Sequence, residues 1–139
     1  DGASKPAAGG DVLGAKDAAE LLAAAEHKAK QLDWSGAIAD YRRLIAGKQL
    51  LRQAYLGLAK AAREDGDVDG AIAAATSALQ FGAGVPARKL LGSAYLKKGD
   101  YGAARTQYER VLADHPDDRE AAAALDATLE KLGLPPRTR

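Results

Sequence analysis

Apolar residues recur every three or four positions along most of the chain, which is the spacing of an amphipathic helix. One such stripe runs from Tyr55 to Ala62 and another from Ala104 to Leu112. No segment alternates apolar and polar residues with the period of two that a half-buried strand shows, so the sequence predicts no strands. The pattern predicts seven helices, over residues 12–31, 34–46, 50–64, 67–81, 86–98, 101–114 and 118–132.

Three of the predicted turns carry one short pattern: an acid, a bulky apolar residue, two short residues and an alanine. The copies occupy residues 33–38, 66–72 and 99–104, and their alanines stand at 37, 71 and 104, which are 34 and then 33 residues apart. A period of this length accommodates one helix–turn–helix unit. Because a single helix pair cannot bury its apolar face alone, we expect successive pairs to stack on one another.

The third of these units, residues 85–118, resembles a tetratricopeptide repeat. It has a small residue and a tyrosine in its first helix, Gly-Asp-Tyr at its turn, and then alanine, an aromatic residue and a closing proline. The residues that carry the resemblance are Gly92, Tyr95, Gly99, Asp100, Tyr101, Ala104, Tyr108 and Pro116. The resemblance implies an all-α fold, a right-handed superhelical stack of antiparallel helix hairpins.

The other two units match the motif less fully. Residues 18–51 have Lys28 where the first-helix tyrosine is expected and Leu32 where the turn glycine is expected. Residues 52–84 replace the closing proline with Ala83 in a loop that is one residue shorter. The matching residues of both units are Ala25, Trp34, Ala37 and Tyr41, then Ala59, Ala62, Gly66, Asp67, Val68, Ala71, Ala75 and Ala78.

The chain divides into a linker, a repeat domain and a tail. Residues 1–11 are rich in Gly, Ala, Ser and Pro, a composition typical of linkers. The repeat domain covers residues 12–133, the helix over 118–132 resembles the capping helix of such arrays, and residues 134–139 form the tail. Since the chain lacks Met and begins at Asp1, we expect an excised domain or a processed chain, tethered by the linker to something upstream.

Composition narrows the classes of function. Lys and Arg number 20 against 19 Asp and Glu, so the chain lacks the basic excess of a protein that binds nucleic acid or an acidic membrane surface. The absence of Cys excludes disulfides and thiolate chemistry. No run reaches the roughly 18 apolar residues of a membrane-spanning helix, so direct membrane insertion is not expected. The Ala- and Gly-rich style favours a bacterial protein, in the cytoplasm or alternatively in the cell envelope.

Residues that could suggest a metal site or an active site have simpler interpretations. Asp65–Gly70 begins like a calcium loop, but the position of the closing bidentate Glu is occupied by Thr76. His27 and His115 lie in different units, and neither has a partner at ligand spacing. Trp34 and the tyrosines fall mostly on positions where helices pack together, so we expect them in the core. The alternative is that one of them forms a surface on which a ligand stacks. The sequence therefore predicts no metal, no cofactor and no catalytic residue.

The resemblance implies that the first helix of each unit lines a concave groove in which a partner docks. The predicted groove carries five basic residues against two acids, Glu26 and Glu64, so we expect a partner with acidic residues beside apolar ones. Known family members that clamp a C-terminal carboxylate use paired Lys and Asn, and Leu22 and Glu26 depart from that pattern. The predicted lining residues are Leu22, Glu26, Lys30, Gln53, Leu56, Lys60, Arg63, Lys89, Ser93, Leu96 and Lys97.

These observations predict a non-catalytic protein interaction module, an adaptor that binds a peptide segment or helix of another protein. One alternative is an architectural spacer that self-associates into a homo-oligomer through its end helices. A second alternative is the regulatory domain of a larger enzyme or signalling protein. The alternative interpretation of the exposed lysines is that they only maintain solubility.

Overall fold

The computed structural model describes residues 12–138, and those residues form seven α-helices and no strands. The all-α fold class predicted from the sequence is confirmed. The helices are α1 (Ala15–Lys30), α2 (Trp34–Ala46), α3 (Leu51–Glu64), α4 (Val68–Gln80), α5 (Gly84–Lys98), α6 (Tyr101–Asp114) and α7 (Arg119–Lys131). The predicted linker, residues 1–11, lies outside the described residues.

Two helices begin more than one residue away from the predicted start. Helix α1 begins at Ala15 rather than residue 12, because the backbone of Leu13 is bound by the side chain of Gln49, which donates to its carbonyl and accepts from its N–H. Helix α5 begins at Gly84 rather than residue 86. Pro86 still lies in the first turn of α5, where its missing N–H costs no intrahelical hydrogen bond.

The helices form a solenoid in which each packs mainly on the helix before it and the helix after it. In addition, α1 contacts α3, and α3 contacts α5. The first helices of the three units are therefore neighbours along one side of the stack. This arrangement of successive antiparallel pairs is the one that the sequence period predicts.

The alanines that repeat along the sequence are buried between the helices. Ala37, Ala71 and Ala104 have exposed fractions of 0%, 2% and 0%, so all three belong to the core. Small side chains let helices approach closely, and the middle of the stack depends on this, since its core is mainly alanine around Leu91. Larger buried side chains lie towards the two ends, where Leu44 and Val111 are completely enclosed.

The repeated acid of the turn pattern is the N-cap of the second helix in each unit. The carboxylates of Asp33, Asp67 and Asp100 accept hydrogen bonds from the backbone N–H three residues later, at N···O distances of 3.0, 2.9 and 3.1 Å. This bond satisfies one of the amides that a helix leaves without a partner in its first turn. The acids of the calcium-like segment therefore include one, Asp67, whose carboxylate is used to start α4.

The turn between the two helices of each unit needs a residue with positive φ. Glycine supplies it in the second and third units, with φ of +93° at Gly66 and +84° at Gly99. In the first unit the same position is Leu32, with φ of +63°. Lys48 and Leu50, in the turn between α2 and α3, are the other non-glycine residues with positive φ in the described chain.

The last helix closes the stack. Its N-cap is Asp118, whose carboxylate accepts from the Ala121 N–H at 2.9 Å. Helix α7 ends before Gly133, which has φ of +70°. The tail then turns back along α7, so that Arg137 Nε lies 3.3 Å from Asp126 Oδ1.

Candidate functional site

Two cavities open on the side of the stack where α1, α3 and α5 are neighbours. The first cavity, of 490 Å³, lies between α1, α2 and α3, and the second, of 520 Å³, lies between α3, α5 and α7. Leu56 and Lys60 of α3 line both cavities. Leu56 and Lys60 therefore lie between the two cavities, which adjoin along this side of the stack and are together called the groove.

The floor of the first cavity is aromatic. Trp34 and Tyr41 of α2 line this cavity together with residues of α1 and α3, and Tyr41 is only 4% exposed. The ring of Tyr41 fits beneath Gly57, where an added Cβ would stand 2.2 Å from Tyr41 Cζ. Burial first, and then the charges of Glu26 and Asp40, raise the pKa of Tyr41, so its phenol stays protonated at neutral pH.

The second cavity is bordered by the first half of α5 and by α7. Its apolar surface comes from Val85, Pro86 and Leu90 of α5 together with Leu56 and Ala124. Tyr108 of α6 also lines it, and burial is the main cause of the raised pKa of that phenol. Both cavities therefore combine an apolar wall with a buried tyrosine.

The charges differ between the two cavities. In the second cavity, Lys89 Nζ lies 2.6 Å from Asp118 Oδ2 and 3.5 Å from Glu120 Oε2. Arg63 lies 2.8 Å from a Glu64 oxygen and donates to Ser93 Oγ at 2.9 Å. Much of the positive charge predicted for this part of the groove is consequently matched by carboxylates.

In the first cavity, by contrast, the basic residues have no acidic partner within residues 12–138. Lys30 and Lys60 form no ion pair with any carboxylate of residues 12–138. Glu26 is the acid that lines this cavity, and it is exposed. The lining charges of the first cavity are therefore two positive and one negative, and the uncompensated positive charge of the groove is concentrated there.

The structure brings most of the predicted lining residues together. Those on the two cavities are Glu26, Lys30, Gln53, Leu56, Lys60, Arg63, Lys89 and Ser93. The other three lie elsewhere. Leu22 is half-buried against the core formed by α1, α2 and α3, and Leu96 is half-buried against the core formed by α6 and α7. Lys97 is exposed and lines neither cavity. Leu96 and Lys97 belong to the last turns of α5, whereas the second cavity is bordered by that helix only as far as Ser93.

Sequence reasoning missed several groove residues. Trp34, Tyr41 and Tyr108 were assigned to the core, and they contribute both to the core and to the cavity surfaces. Asp118 and Glu120 were not expected opposite Lys89, because they come from a helix about thirty positions later in the chain. The one available signal was Leu32, which breaks the glycine pattern of the turns and lines the first cavity.

No other grouping in the described part of the chain indicates chemistry. Residues 12–138 contain no cluster of three or more His, Asp or Glu side chains that could hold a metal ion. His27 and His115 are both exposed, on α1 and directly after α6. None of the described helices is both long enough and apolar enough to cross a lipid bilayer.

Comparison with protein families identifies the repeat. Two family profiles, each described as Tetratricopeptide repeat, match residues 22–86 and 62–129. This chain is a tetratricopeptide repeat protein. The two matches overlap in the second unit, so together they extend from the first unit to the helix that closes the stack. Among curated proteins, none matches the sequence significantly.

Solved structures show the same tetratricopeptide repeat fold. One is the C-terminal domain, containing tetratricopeptide repeats, of a Plasmodium falciparum protein named as an FK506-binding protein. It has a TM-score of 0.73 at 18% identity, over 85% of this chain and 89% of that one. Another is the MamA protein, with a TM-score of 0.57 at 19% identity, over 84% of this chain and 83% of that one. At these identities the likeness establishes the fold alone.

Proposed function

We propose that this tetratricopeptide repeat protein is a non-catalytic adaptor that binds an extended or helical segment of a partner protein in its groove. Proteins of this family are in general interaction modules without catalytic activity. The observation that carries the proposal is that the two cavities adjoin at Leu56 and Lys60, which line both of them. Two adjoining cavities that both have apolar lining residues suit a chain segment better than they suit a compact small molecule.

The charges of the groove favour a partner segment with carboxylates next to apolar side chains. Lys30 and Lys60 lie at the first cavity without acidic partners in the described chain, so they are available to a ligand. Lys89 already contacts Asp118 and Glu120. Exposed charges of this kind steer association and set specificity, while the apolar floor supplies most of the affinity.

A charge-reversal experiment tests this function. Peptides are selected from a random display library against the full chain, and their affinities are measured for the wild type and for the Lys30→Glu/Lys60→Glu double variant. Reversing two steering charges should weaken binding about tenfold or more, and added salt should reduce the difference. Leu56→Ala should also weaken binding, since Leu56 borders both cavities.

The matched control is the Lys48→Glu/Lys97→Glu double variant. It makes the same change in net charge, and both residues are exposed and line neither cavity. Lys89→Glu is unsuitable as a test, because it would place a third carboxylate beside Asp118 and Glu120 and destabilise the start of α7. The proposal fails if selected peptides bind the groove variants and the control equally well. It also fails if sedimentation shows a stable dimer that occludes the groove.

A further inference from the structure

Leu32 adopts a backbone conformation that leucine disfavours. Its φ of +63° lies in the left-handed region, where the Cβ of an L-residue comes close to the following carbonyl oxygen. The equivalent turns of the second and third units place glycine at this position, as Gly66 and Gly99. The first unit therefore has leucine in a strained backbone conformation, at a position where the other two units have glycine.

The strain at Leu32 is not offset by packing within the protein. Its side chain is 69% exposed, far more than Leu44 or Leu91 in the core. An exposed leucine in a strained turn gains little from folding, so a residue of this kind points to a role outside the stability of the monomer. That role is indicated by its position, since Leu32 lines the first cavity.

The surroundings of Leu32 form an apolar chamber with a basic edge. Trp34, Tyr41 and Leu56 line the same cavity. Lys30 and Lys60 also line it, and they have no acidic partners in the described chain. The cavity volume of 490 Å³ is ample for one large side chain. A side chain seated there would cover the exposed surface of Leu32 and so supply the contact that the monomer lacks.

We infer that the first cavity is a subsite for a single bulky aliphatic or aromatic side chain of the partner segment, and that Leu32 is its outer wall and a specificity-determining residue. Lys30 and Lys60 receive carboxylates on either side of that anchor. The inference rests on the proposed function, and it assigns the first cavity to one bulky side chain of the partner segment. Lys30 and Lys60 favour an occupant flanked by carboxylates, and Trp34 and Tyr41 favour an apolar side chain between them.

The probes are synthetic peptides of the form acetyl-Gly-Ser-Asp-X-Asp-Ser-Gly-amide, in which X is Leu, Phe or Ala, and a counterpart with Lys in place of both Asp and Leu at X. Each is titrated into the isotopically labelled full chain, and amide chemical shifts are followed. The Leu and Phe peptides should shift the amides of Leu32, Trp34 and Gly57. The Ala peptide and the lysine-flanked peptide should bind at least about tenfold more weakly, since the first lacks the apolar contact and the second opposes the lysines.

The decisive variants replace Leu32 with residues that accept a positive φ. Leu32→Gly and Leu32→Asn both relieve the backbone strain, and Asn does so without the added flexibility of Gly. Each should weaken the Leu-containing peptide about tenfold, while the melting temperature stays the same or rises. Leu32→Met, which keeps an apolar side chain, should retain most of the affinity. Lys48→Gly is the matched control, because it relieves a positive φ of +56° away from both cavities and should leave binding unchanged.

Three results would overturn the inference, and the first two differ in what they say about the groove. If the peptides shift only amides of the second cavity, such as Val85 and Leu90, and Leu32→Gly binds normally, the groove binds peptides but the first cavity is not the anchor site. If the acidic peptides shift no amide on either cavity, both the inference and the proposed acidic partner are wrong. Equal affinity for X as Leu and X as Ala would also overturn it.

Discussion

The phenol ring of Tyr108 covers the bare backbone of Gly92, so that a Cβ built on Gly92 would stand 2.8 Å from Tyr108 Cζ. Tyr41 occupies the same position of the repeat, but the glycine at its ring is Gly57, at 2.2 Å. Gly92 belongs to the same unit as Tyr108, whereas Gly57 belongs to the unit after that of Tyr41. The motif tyrosine therefore contacts a glycine of its own unit at Tyr108, but a glycine of the next unit at Tyr41.

We predict that Gly57→Ala lowers the free energy of unfolding by about 1–3 kcal/mol, because the new methyl group overlaps the Tyr41 ring and must displace it. Gly92→Ala should have a smaller effect, since its clash is less severe, and Gly92→Leu a larger one. Urea unfolding measures each change. Gly102→Ala is the control, because the nearest atom to its Cβ would be 3.9 Å away, and it should be neutral or stabilising.

The origin of the Gly57 effect can be isolated in a Tyr41→Leu background. With the ring removed, Gly57→Ala should become neutral or stabilising, because alanine is favoured over glycine inside a helix by up to about 1 kcal/mol. An unchanged cost of Gly57→Ala in that background would show that the contact with Tyr41 is not its cause.

Removal of an aspartate cap should destabilise the fold. Asp67→Ala leaves the Gly70 N–H without its partner at 2.9 Å and is expected to cost about 0.5–2 kcal/mol. Asp67→Asn should retain most of the stability, since asparagine also caps helices. Asp65→Ala, two residues earlier and outside the cap, is the control and should change stability by less than about 0.5 kcal/mol. Equal effects at positions 65 and 67 in thermal or urea unfolding would contradict the assignment.

The charge of Asp118 should make stability depend on pH on the acid side. The hydrogen bond from the Ala121 N–H, and then the hydrogen bond from Lys89, lower the pKa of Asp118. A lowered folded-state pKa means that the stabilisation is complete above the unfolded-state pKa, near about 4, and is lost as the pH falls through the folded value. Asp118→Asn keeps the cap but should flatten the decline of stability with acid, as measured by urea unfolding across this range.

A second measurement separates the contribution of Lys89 to that pKa. Lys89→Met removes the ammonium group that lies 2.6 Å from Asp118 Oδ2, so the pKa of Asp118, followed by carboxyl carbon NMR, should rise towards its ordinary value. Lys97→Met, at an exposed position that lines neither cavity, should leave it unchanged. An unaltered Asp118 pKa in Lys89→Met would mean that the pair contributes nothing in solution.

The side chain of Gln49 should hold the backbone of Leu13, just before α1, in place. Its amide donates to the Leu13 carbonyl at 2.6 Å and accepts from the Leu13 N–H at 2.8 Å. Gln49→Ala should lower the free energy of unfolding by about 1–2 kcal/mol, because two neutral hydrogen bonds are lost. It should also accelerate hydrogen exchange at the Leu13 amide. Gln53→Ala, an exposed position on α3, is the control for both measurements. Normal protection of Leu13 in Gln49→Ala would contradict this role.

Much of the fold follows from local sequence. The spacing of apolar residues located all seven helices, because side chains three and four positions apart share one helical face. The recurring acid lies at the start of the second helix of each unit for a local reason too, since a carboxylate at the N-cap bonds an amide only three residues away. The start of α1 was misplaced because its limit depends on Gln49, which is distant in sequence from Leu13.

The candidate groove was predicted only in part. Helical periodicity brought Lys30, Gln53, Lys60 and Ser93 onto the cavities, because each lies on one face of a single helix. It could not show that Lys89 meets Asp118, since that contact depends on how far α7 reaches across the end of α5. It also could not show that Tyr41, assigned to the core, forms a cavity floor beneath Gly57.

The sequence by itself determined the all-α repeat, its period, the buried alanines and the caps, because each depends on residues within one or two helical turns or on a regular interval. Only the tertiary structure decided where the groove is hollow, which of its charges are matched by carboxylates and where the strained Leu32 side chain lies. Those properties arise from distances between helices that are far apart in sequence, and such distances are set by the packing of the whole stack.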